Sequence, residues 1–159
     1  MVKVISQEYN EVFAEYTITQ GTRYCICYTS SDGKIVKPQD SSSFDATILS
    51  NTYKDGSGII EFDAPITSIE EIAFAGHRKL TSVTIPDSVT SIGICAFEDC
   101  SSLTNVYCKP TTPPAGDYDI FTGNASGRKI YVPTESVEAY KNASHWSDYA
   151  SDIVGYNFQ

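Results

Sequence analysis

The chain has 159 residues and a formal net charge of −9, with 20 acidic and 11 basic side chains. This length suits one compact domain or a short repeat array with covered ends. The acidic balance excludes the basic footprint that nucleic acids require and a polybasic contact with a membrane surface. No run approaches the roughly 18 apolar residues of a spanning helix. We therefore expect neither nucleic-acid binding nor a membrane span.

Residues 1–20 show a weak strand pattern, in which Val12, Ala14, Tyr16 and Ile18 alternate with their neighbours. Residues 1–13 contain neither an apolar core segment nor a cleavage site, so we expect no secretory leader there. The sequence is compatible with a cytoplasmic protein and equally with a leader that lies outside it.

Residues 22–30 alternate as a β-strand does, and Asp32-Gly33 follows, with Ile35 and Val36 behind it. An Asp-Gly pair between such runs is a strong hairpin signal, because both turn positions must accept a positive φ. Residues 44–53 have no clean period, and we leave them unassigned. Asp55-Gly56 predicts a second turn. We interpret residues 1–58 as an N-terminal β cap, since the first coil of a repeat array has an apolar edge to cover.

The centre of the chain repeats with a period of 23. Residues 66–83 read ITSIEEIAFAGHRKLTSV and residues 89–106 read VTSIGICAFEDCSSLTNV, with eight of the eighteen aligned positions identical. A fixed period of roughly 20–29 residues is typical of leucine-rich solenoid coils. Residues 59–133 are therefore predicted to form a leucine-rich-repeat solenoid of about three coils plus a fourth strand.

The same period predicts four short strands that stack in parallel, since each coil must climb to the next. They cover about 59–62, 82–85, 105–108 and 129–132. Between the strands, Phe74 and Phe97 fall at equivalent inward positions, and Phe121 continues the series despite an insertion. We predict an aromatic ladder inside the coils.

The last part of the chain departs from the repeat. Residues 111–127 are irregular, as in a terminal coil or a functional bulge. Thr134 is a suitable N-cap for a helix, with an apolar face that includes Tyr140 and Trp146 and extends toward Ile153. Residues 134–159 are predicted to form a C-terminal helical cap. The expected fold class is β-rich α+β: a short solenoid with parallel strands, a β-hairpin cap and a helical cap.

The stretch LTSVTIPDSVTSIGICAFEDC resembles the 23-residue BspA-like leucine-rich repeat of bacterial surface proteins. The positions that match that motif are Leu80, Val83, Ile85, Pro86, Val89, Ile92, Gly93, Ala96, Phe97 and Cys100. The preceding turn has Glu70 where the motif has Gly and His77 where it has Cys. The resemblance implies display at the cell surface or secretion, adhesion to host matrix or cell-surface proteins, and no catalysis.

Five cysteines occur, Cys25, Cys27, Cys95, Cys100 and Cys108. An odd number without a CxxC pair is neither a disulfide framework nor a zinc ribbon, and we interpret them as buried, unpaired thiols. We expect no metal site and no cofactor.

A binding surface is predicted where strand residues alternate with the inward ones. The candidates are Glu61, Ser82, Thr84, Asn105, Tyr107, Lys129 and Tyr131. Tyr107 and Tyr131 would lie on adjacent strands, and tyrosine is a common anchor in protein interfaces. The competing interpretation is that exposed tyrosines merely favour strands.

Catalysis finds little support. His77 and His145 have no oriented partner of the kind that a nucleophilic triad needs, and no metalloprotease or phosphate-loop motif is present. Asp117 and Asp119 in the irregular segment remain an acid pair for glycan chemistry, although a solvated loop is the favoured explanation for them. The first hypothesis is a non-catalytic protein-interaction or cell-surface adhesion module. The alternative is a glycan-binding or glycan-processing domain that uses Tyr107, Tyr131 and the 111–127 loop, and a third is a structural spacer.

Overall fold

The structure, a computed structural model, describes residues 24–159; the strand predicted within residues 1–20 lies outside them. Ten strands are present in the described residues: β1 Tyr24–Ser30, β2 Ile48–Lys54, β3 Ser57–Phe62, β4 Ser68–Ile69, β5 Leu80–Ile85, β6 Ser91–Ile92, β7 Asn105–Cys108, β8 Ala115–Gly116, β9 Lys129–Pro133 and β10 Ile153–Tyr156. One short α-helix, α1, spans Val137–Asn142, between 3₁₀ segments at Thr134–Ser136 and Ser147–Asp152.

The strands form two sheets. The larger has seven strands in the order β10-β9-β7-β5-β1-β3-β2, and the smaller has three in the order β4-β6-β8. Strands β5, β7, β9 and β10 pair in parallel, whereas β1 is antiparallel to both β3 and β5. The larger sheet is therefore mixed, and the smaller one is entirely parallel.

The period of 23 sets the parallel register. Val83 pairs with Val106 across β5 and β7, and Ser68 pairs with Ser91 across β4 and β6. The next step is 24 residues, because Asn105 pairs with Lys129. Matching side chains of successive coils consequently lie side by side, as the repeat predicts.

The prediction that residues 59–62 stack directly on residues 82–85 is wrong. Strand β1 lies between β3 and β5 and pairs with both. Both faces of β1 are buried from Cys25 to Tyr28, and pairing with β3 and β5 satisfies the backbone groups along both edges of this buried strand. The Tyr28 ring fills the space above Gly58, where an added Cβ would lie 2.2 Å from Tyr28 Cζ.

The first predicted hairpin is also wrong, although its turn exists. Gly33 has a φ of 68°, and the Lys34 amide donates to Asp32 Oδ1 at 3.2 Å. Residues 35–36 nevertheless form no strand. The hairpin in this part of the chain joins β2 to β3 through Asp55 and Gly56, whose φ values are 51° and 83°. Positive φ at both central residues is what a two-residue hairpin turn requires.

The core runs through the coils as a stack of aromatic rings. Phe74, Phe97 and Phe121 are fully buried. The first two rings lie 5.2 Å apart with a 9° interplanar angle, and the second and third lie 5.5 Å apart at 19°. The predicted aromatic ladder is confirmed, including its third member beyond the insertion.

Each coil also contains two residues in the left-handed backbone region. The first position holds Ile72, Cys95 and Asp119, with φ between 52° and 56°. The second holds Gly76, Asp99 and Gly123, with φ between 55° and 74°. The backbone conformation thus repeats even where the residue type does not.

The close approach of neighbouring coils explains why Gly93 is a glycine. A Cβ at Gly93 would lie 2.6 Å from the Glu71 amide nitrogen, which belongs to the preceding coil. Glu70 holds the equivalent position one coil earlier and is exposed, with its amide donating to the Ser43 carbonyl at 2.9 Å. The first coil therefore tolerates a side chain that the second cannot.

The C-terminal segment is less helical than predicted. Thr134 makes no side-chain cap, and α1 has only six residues. Tyr140 and Trp146 are buried as expected, and they donate to the carbonyls of Pro110 and Pro114 at 2.7 Å and 2.8 Å. Ile153 lies in β10, which extends the larger sheet. No helix within residues 24–159 has the length and apolar character needed to cross a membrane.

Candidate functional site

The outward strand face is the surface of the larger sheet that points away from the aromatic ladder. Its side chains alternate along each strand with the buried apolar ones. In register, Cys27 of β1 lies beside Thr84 of β5, Thr84 beside Tyr107 of β7, and Tyr107 beside Tyr131 of β9. The sheet thus places three of the predicted contact residues in one row with Cys27.

Two of the predicted contact residues are not accessible. Ser82 is 6% exposed and Thr84 is 3% exposed. Insertion of β1 beside β5 explains part of this burial, since Thr29 becomes a lateral neighbour and its hydroxyl lies 2.6 Å from the Ser82 hydroxyl. Ser82 and Thr84 therefore belong to the outward strand face by position but cannot contact a partner.

The remaining predicted residues fall into two groups. Glu61 lies on β3, on the far side of β1, where it accepts a hydrogen bond from Ser50 Oγ at 2.6 Å. Asn105 and Lys129 are register partners on β7 and β9, the latter exposed. The sheet thus separates Glu61 from the other accessible candidates.

Four aromatic side chains cluster at the β7–β9–β10 end of the outward strand face. The Tyr107 and Tyr131 rings stack, with centroids 4.9 Å apart and planes inclined by 14°. Tyr156 meets both edge-on at 5.6 Å, and Phe158 lies 4.8 Å from Tyr156. We call these four residues the aromatic cluster; all of them are half-buried.

The sequence pattern predicted that Tyr107 and Tyr131 lie on the outward strand face, but it did not predict Tyr156 and Phe158 there. The signal was present, because Ile153, Val154 and Tyr156 have the residue types of a strand, yet they followed a segment interpreted as helix. β10 pairs in parallel with β9 and places Val154 beside Tyr131. The additional strand completes the aromatic cluster.

A cleft opens next to the aromatic cluster, with a volume of about 470 Å³. Tyr156 and Phe158 form part of its wall, and Asp87 and Glu135 contribute carboxylates. Lys109 is a cation at the same place. The cleft therefore combines aromatic surface with charged groups of both signs.

The irregular segment 111–127 is ordered by local bonds rather than arranged as a site. Asp117 Oδ1 accepts from the Tyr118 amide at 2.8 Å, and Asp119 Oδ1 accepts from Thr122 Oγ1 at 2.9 Å. Tyr118 is exposed and its ring meets His145 at 4.4 Å. These bonds are turn contacts, and they give no support to Asp117 and Asp119 as a catalytic acid pair.

Arg128 connects residues 111–127 to the C-terminal region through hydrogen bonds. Its guanidinium donates to the Phe121 carbonyl and to Asp152 Oδ2, each at 2.6 Å, and lies 5.0 Å from the centre of the Tyr149 ring. The Arg128 side chain is 91% buried, whereas that of Asp152 is 30% exposed. A buried guanidinium needs such partners, so Arg128 has a structural role.

All five cysteines are free, and four of them are buried, as interpreted from the sequence; the interpretation is wrong for Cys95, which is partly exposed. Cys100 Sγ donates to the Phe74 carbonyl at 3.0 Å, and burial raises the pKa of this thiol to about 12. Burial raises the pKa of Cys108 to about 12 as well. Such thiols remain protonated and behave as small apolar side chains. Within residues 24–159, no three His, Cys, Asp or Glu side chains form a group that could hold a metal ion.

Comparison with known proteins supports the repeat. The family model described as BspA type Leucine rich repeat region matches residues 46–145, in six copies. No curated protein matches the chain in sequence. The matched region contains the aromatic ladder, both positive-φ positions of each coil and most of the outward strand face. The chain therefore belongs to the BspA type of leucine rich repeat protein.

Proposed function

We propose that this chain is a non-catalytic protein-interaction module that contacts its partner through the β7–β9–β10 end of the outward strand face. The contact residues in this proposal are Asn105, Tyr107, Lys129 and Tyr131, with Tyr156 and Phe158 added. Ser82 and Thr84 are left out because they are buried.

The observation that carries the proposal is the stacking of Tyr107 on Tyr131. Both rings project from strands that are paired on either side, so little side-chain entropy is lost when a partner covers them. Tyrosine is enriched among the residues that dominate binding energy. A rigid aromatic pair next to Lys129 and Asn105 has the composition of an interface core with a polar rim.

The family also supports a protein-interaction function. Repeats of this type generally mediate protein interactions, and the family is usually associated with the cell surface and generally without enzymatic activity. For this chain we propose a host matrix protein or another cell-surface protein as the partner. Location outside the cell is part of the same proposal.

The division of the chain is also a proposal. Residues 59–133 would form the short solenoid, although its parallel stack in the larger sheet begins only at β5 because β1 separates β3 from β5. Residues 1–58 and 134–159 would cover its two ends. Burial of Tyr140 and Trp146 against Pro110 and Pro114 supports the C-terminal cover. A fragment that lacks residues 134–159 should then expose apolar surface and self-associate in sedimentation experiments.

Binding to immobilised extracellular-matrix proteins tests the interaction proposal. Changing Tyr107 and Tyr131 together to serine should weaken binding by at least about tenfold, the effect of losing about 1.4 kcal/mol. Tyr118→Ser is the matched control, since Tyr118 is an exposed tyrosine elsewhere. Circular dichroism verifies that each variant is folded. Equal affinity of the double variant and the wild type would contradict the proposed surface.

Protease shaving of intact source cells tests the location. Release of this protein without release of a cytoplasmic marker supports display outside the cell. Retention of the protein would instead indicate an intracellular interaction module.

The cleft beside the aromatic cluster favours a second candidate, glycan binding. Flat aromatic rings suit stacking on sugars, and the carboxylates of Asp87 and Glu135 can accept hydrogen bonds from hydroxyls. Tyr107 and Tyr131 would add stacking surface, whereas the turn contacts of Asp117 and Asp119 do not favour a role for the 111–127 loop. Affinity electrophoresis against a panel of polysaccharides distinguishes the candidates, because retardation that is lost in Glu135→Gln supports glycan binding.

A further inference from the structure

We propose that Cys25 and Cys27 form a two-thiolate binding site for a soft metal ion, with Cu(I) as its occupant. The site lies on the outward strand face of β1, at some distance in sequence from the repeat. The proposal stands independently of the protein-interaction function.

The two thiols are placed together by the strand. Cys25 and Cys27 alternate with Ile26, whose side chain enters the core, so both sulfurs lie on the opposite face. They are 4% and 1% exposed. Both are free thiols, and they hydrogen-bond to each other. Two adjacent soft donors shielded from water are therefore present in one place.

The strand also holds the two sulfurs at a spacing that disfavours a direct bond. β1 pairs with β3 on one side and β5 on the other, with Cys25 beside Glu61 and Cys27 beside both Ile59 and Thr84. Residues two apart in a strand have Cα atoms roughly 6.6 Å apart, at the upper limit of roughly 4.4–6.8 Å found for disulfides. Closing a disulfide would distort a strand that is paired on both edges. An ion between the sulfurs spans the longer distance.

The number and type of the donor atoms, two thiolate sulfurs, indicate which metal ion to expect. Zinc sites in proteins use about four ligands in a tetrahedron, and no group of three ligating side chains exists within residues 24–159. Thiolate donors select soft ions such as Cu(I), and two thiolates suffice to hold Cu(I) because it is soft and carries a single charge. Two cysteines without a third ligand therefore suit Cu(I).

A polar group without a partner lies beside the two thiols. Thr84 is the register partner of Cys27, and its buried hydroxyl has no hydrogen-bond partner within residues 24–159. Binding of Cu(I) replaces the thiol protons, which leave to solvent.

The test is a titration of the fully reduced chain with Cu(I) under anaerobic conditions, in competition with a chromogenic Cu(I) chelator. Because the thiols are buried, loading is carried out both on the folded protein and during refolding from denaturant. Cys25→Ser and Cys27→Ser are compared with Cys95→Ser, which removes a thiol elsewhere. Native mass spectrometry counts the bound copper ions.

We expect one copper ion per chain, a thiolate-to-copper absorption band in the ultraviolet, and a higher Tm after loading. Either serine variant at Cys25 or Cys27 should bind at least 100-fold more weakly, whereas Cys95→Ser should match the wild type. If a single variant fails to fold, X-ray absorption spectroscopy of the copper-loaded wild type and of Cys95→Ser gives the same information, since it counts the sulfur ligands of the copper ion. Wild-type binding no tighter than that of the variants would overturn the proposal.

Discussion

Phe74 and Phe97 occupy equivalent positions of successive coils and stack face to face, with ring centroids 5.2 Å apart and planes inclined by 9°. Their spacing of 23 residues in the chain equals the spacing of paired strand residues such as Val83 and Val106. The aromatic ladder and the parallel strands are therefore two consequences of one register. The outward strand face depends on the same register, since Tyr107 meets Tyr131 only where β7 and β9 align.

Phe97 is the middle ring of the ladder and contacts both Phe74 and Phe121. Phe97→Ala should lower the free energy of unfolding by about 3–5 kcal/mol, because it leaves a cavity between two coils. Urea denaturation measures the loss. Leu49→Ala is the control, because Leu49 is 63% exposed, and a surface change of this kind should stay within about 0.5 kcal/mol.

Gly93 is required by the close approach of its coil to the preceding one. Gly93→Ala should destabilise the fold by about 1–3 kcal/mol, because the new Cβ meets the backbone of Glu71, which cannot rotate away. Glu70→Ala at the equivalent exposed position should have a small effect. Similar losses for the two variants in thermal unfolding would show that coil spacing is not the reason for the glycine.

Ile72 is a β-branched residue with a φ of 52° and is 48% exposed. The left-handed conformation costs an L-residue roughly 1–2 kcal/mol, and Asn tolerates it better. Ile72→Asn should therefore raise stability by about 0.5–1 kcal/mol. Ile94→Asn is the control, since Ile94 is 37% exposed without a positive φ. A stabilisation of equal size in both variants would indicate a solubility effect instead.

His77 should make stability depend on pH. Burial lowers its pKa below the ordinary value of 6.5, and its Nε2 has no hydrogen-bond partner within residues 24–159. The unfolded chain then binds the proton more readily than the folded chain. The stability that neutral His77 contributes to the folded state is fully present above about pH 6.5. It is lost as the pH falls toward the lowered pKa of His77 in the folded state.

His77→Cys introduces the residue type found at the equivalent position of the next coil. This variant should reduce the dependence of the free energy of unfolding on pH. Free energies of unfolding measured at about pH 7.5 and pH 5.5 give the difference for each protein. The same loss of stability on acidification in both would assign the effect to other groups.

Much of the repeat could be predicted because its signals are local and periodic. Val83 and Val106, or Phe74 and Phe97, recur at one spacing, and each pair must face the interior for the coils to pack. The departure at Glu70 was visible too, although its reason lies in the surroundings of the first coil, where Glu70 is exposed and its amide donates to the Ser43 carbonyl. Tyr107 and Tyr131 followed from the same register.

The insertion of β1 could not be predicted in this way, because no period connects residues 24–30 with the repeats. A buried strand next to an Asp-Gly turn favours a local hairpin, yet Tyr28 packs on Gly58 and pairs with Val83, both distant in sequence. The burial of Ser82 and Thr84 is tied to that long-range choice. Tyr156 was missed because β10 follows a segment with an apolar helical pattern.

The stacking of successive coils is tested most directly by nuclear Overhauser contacts between the aromatic ring protons of the labelled protein. The Phe97 ring should show contacts to both the Phe74 and the Phe121 rings, and Tyr107 should show contacts to Tyr131. A Phe97 ring with contacts to neither Phe74 nor Phe121 would contradict the common register, and with it the surface proposed to bind a partner.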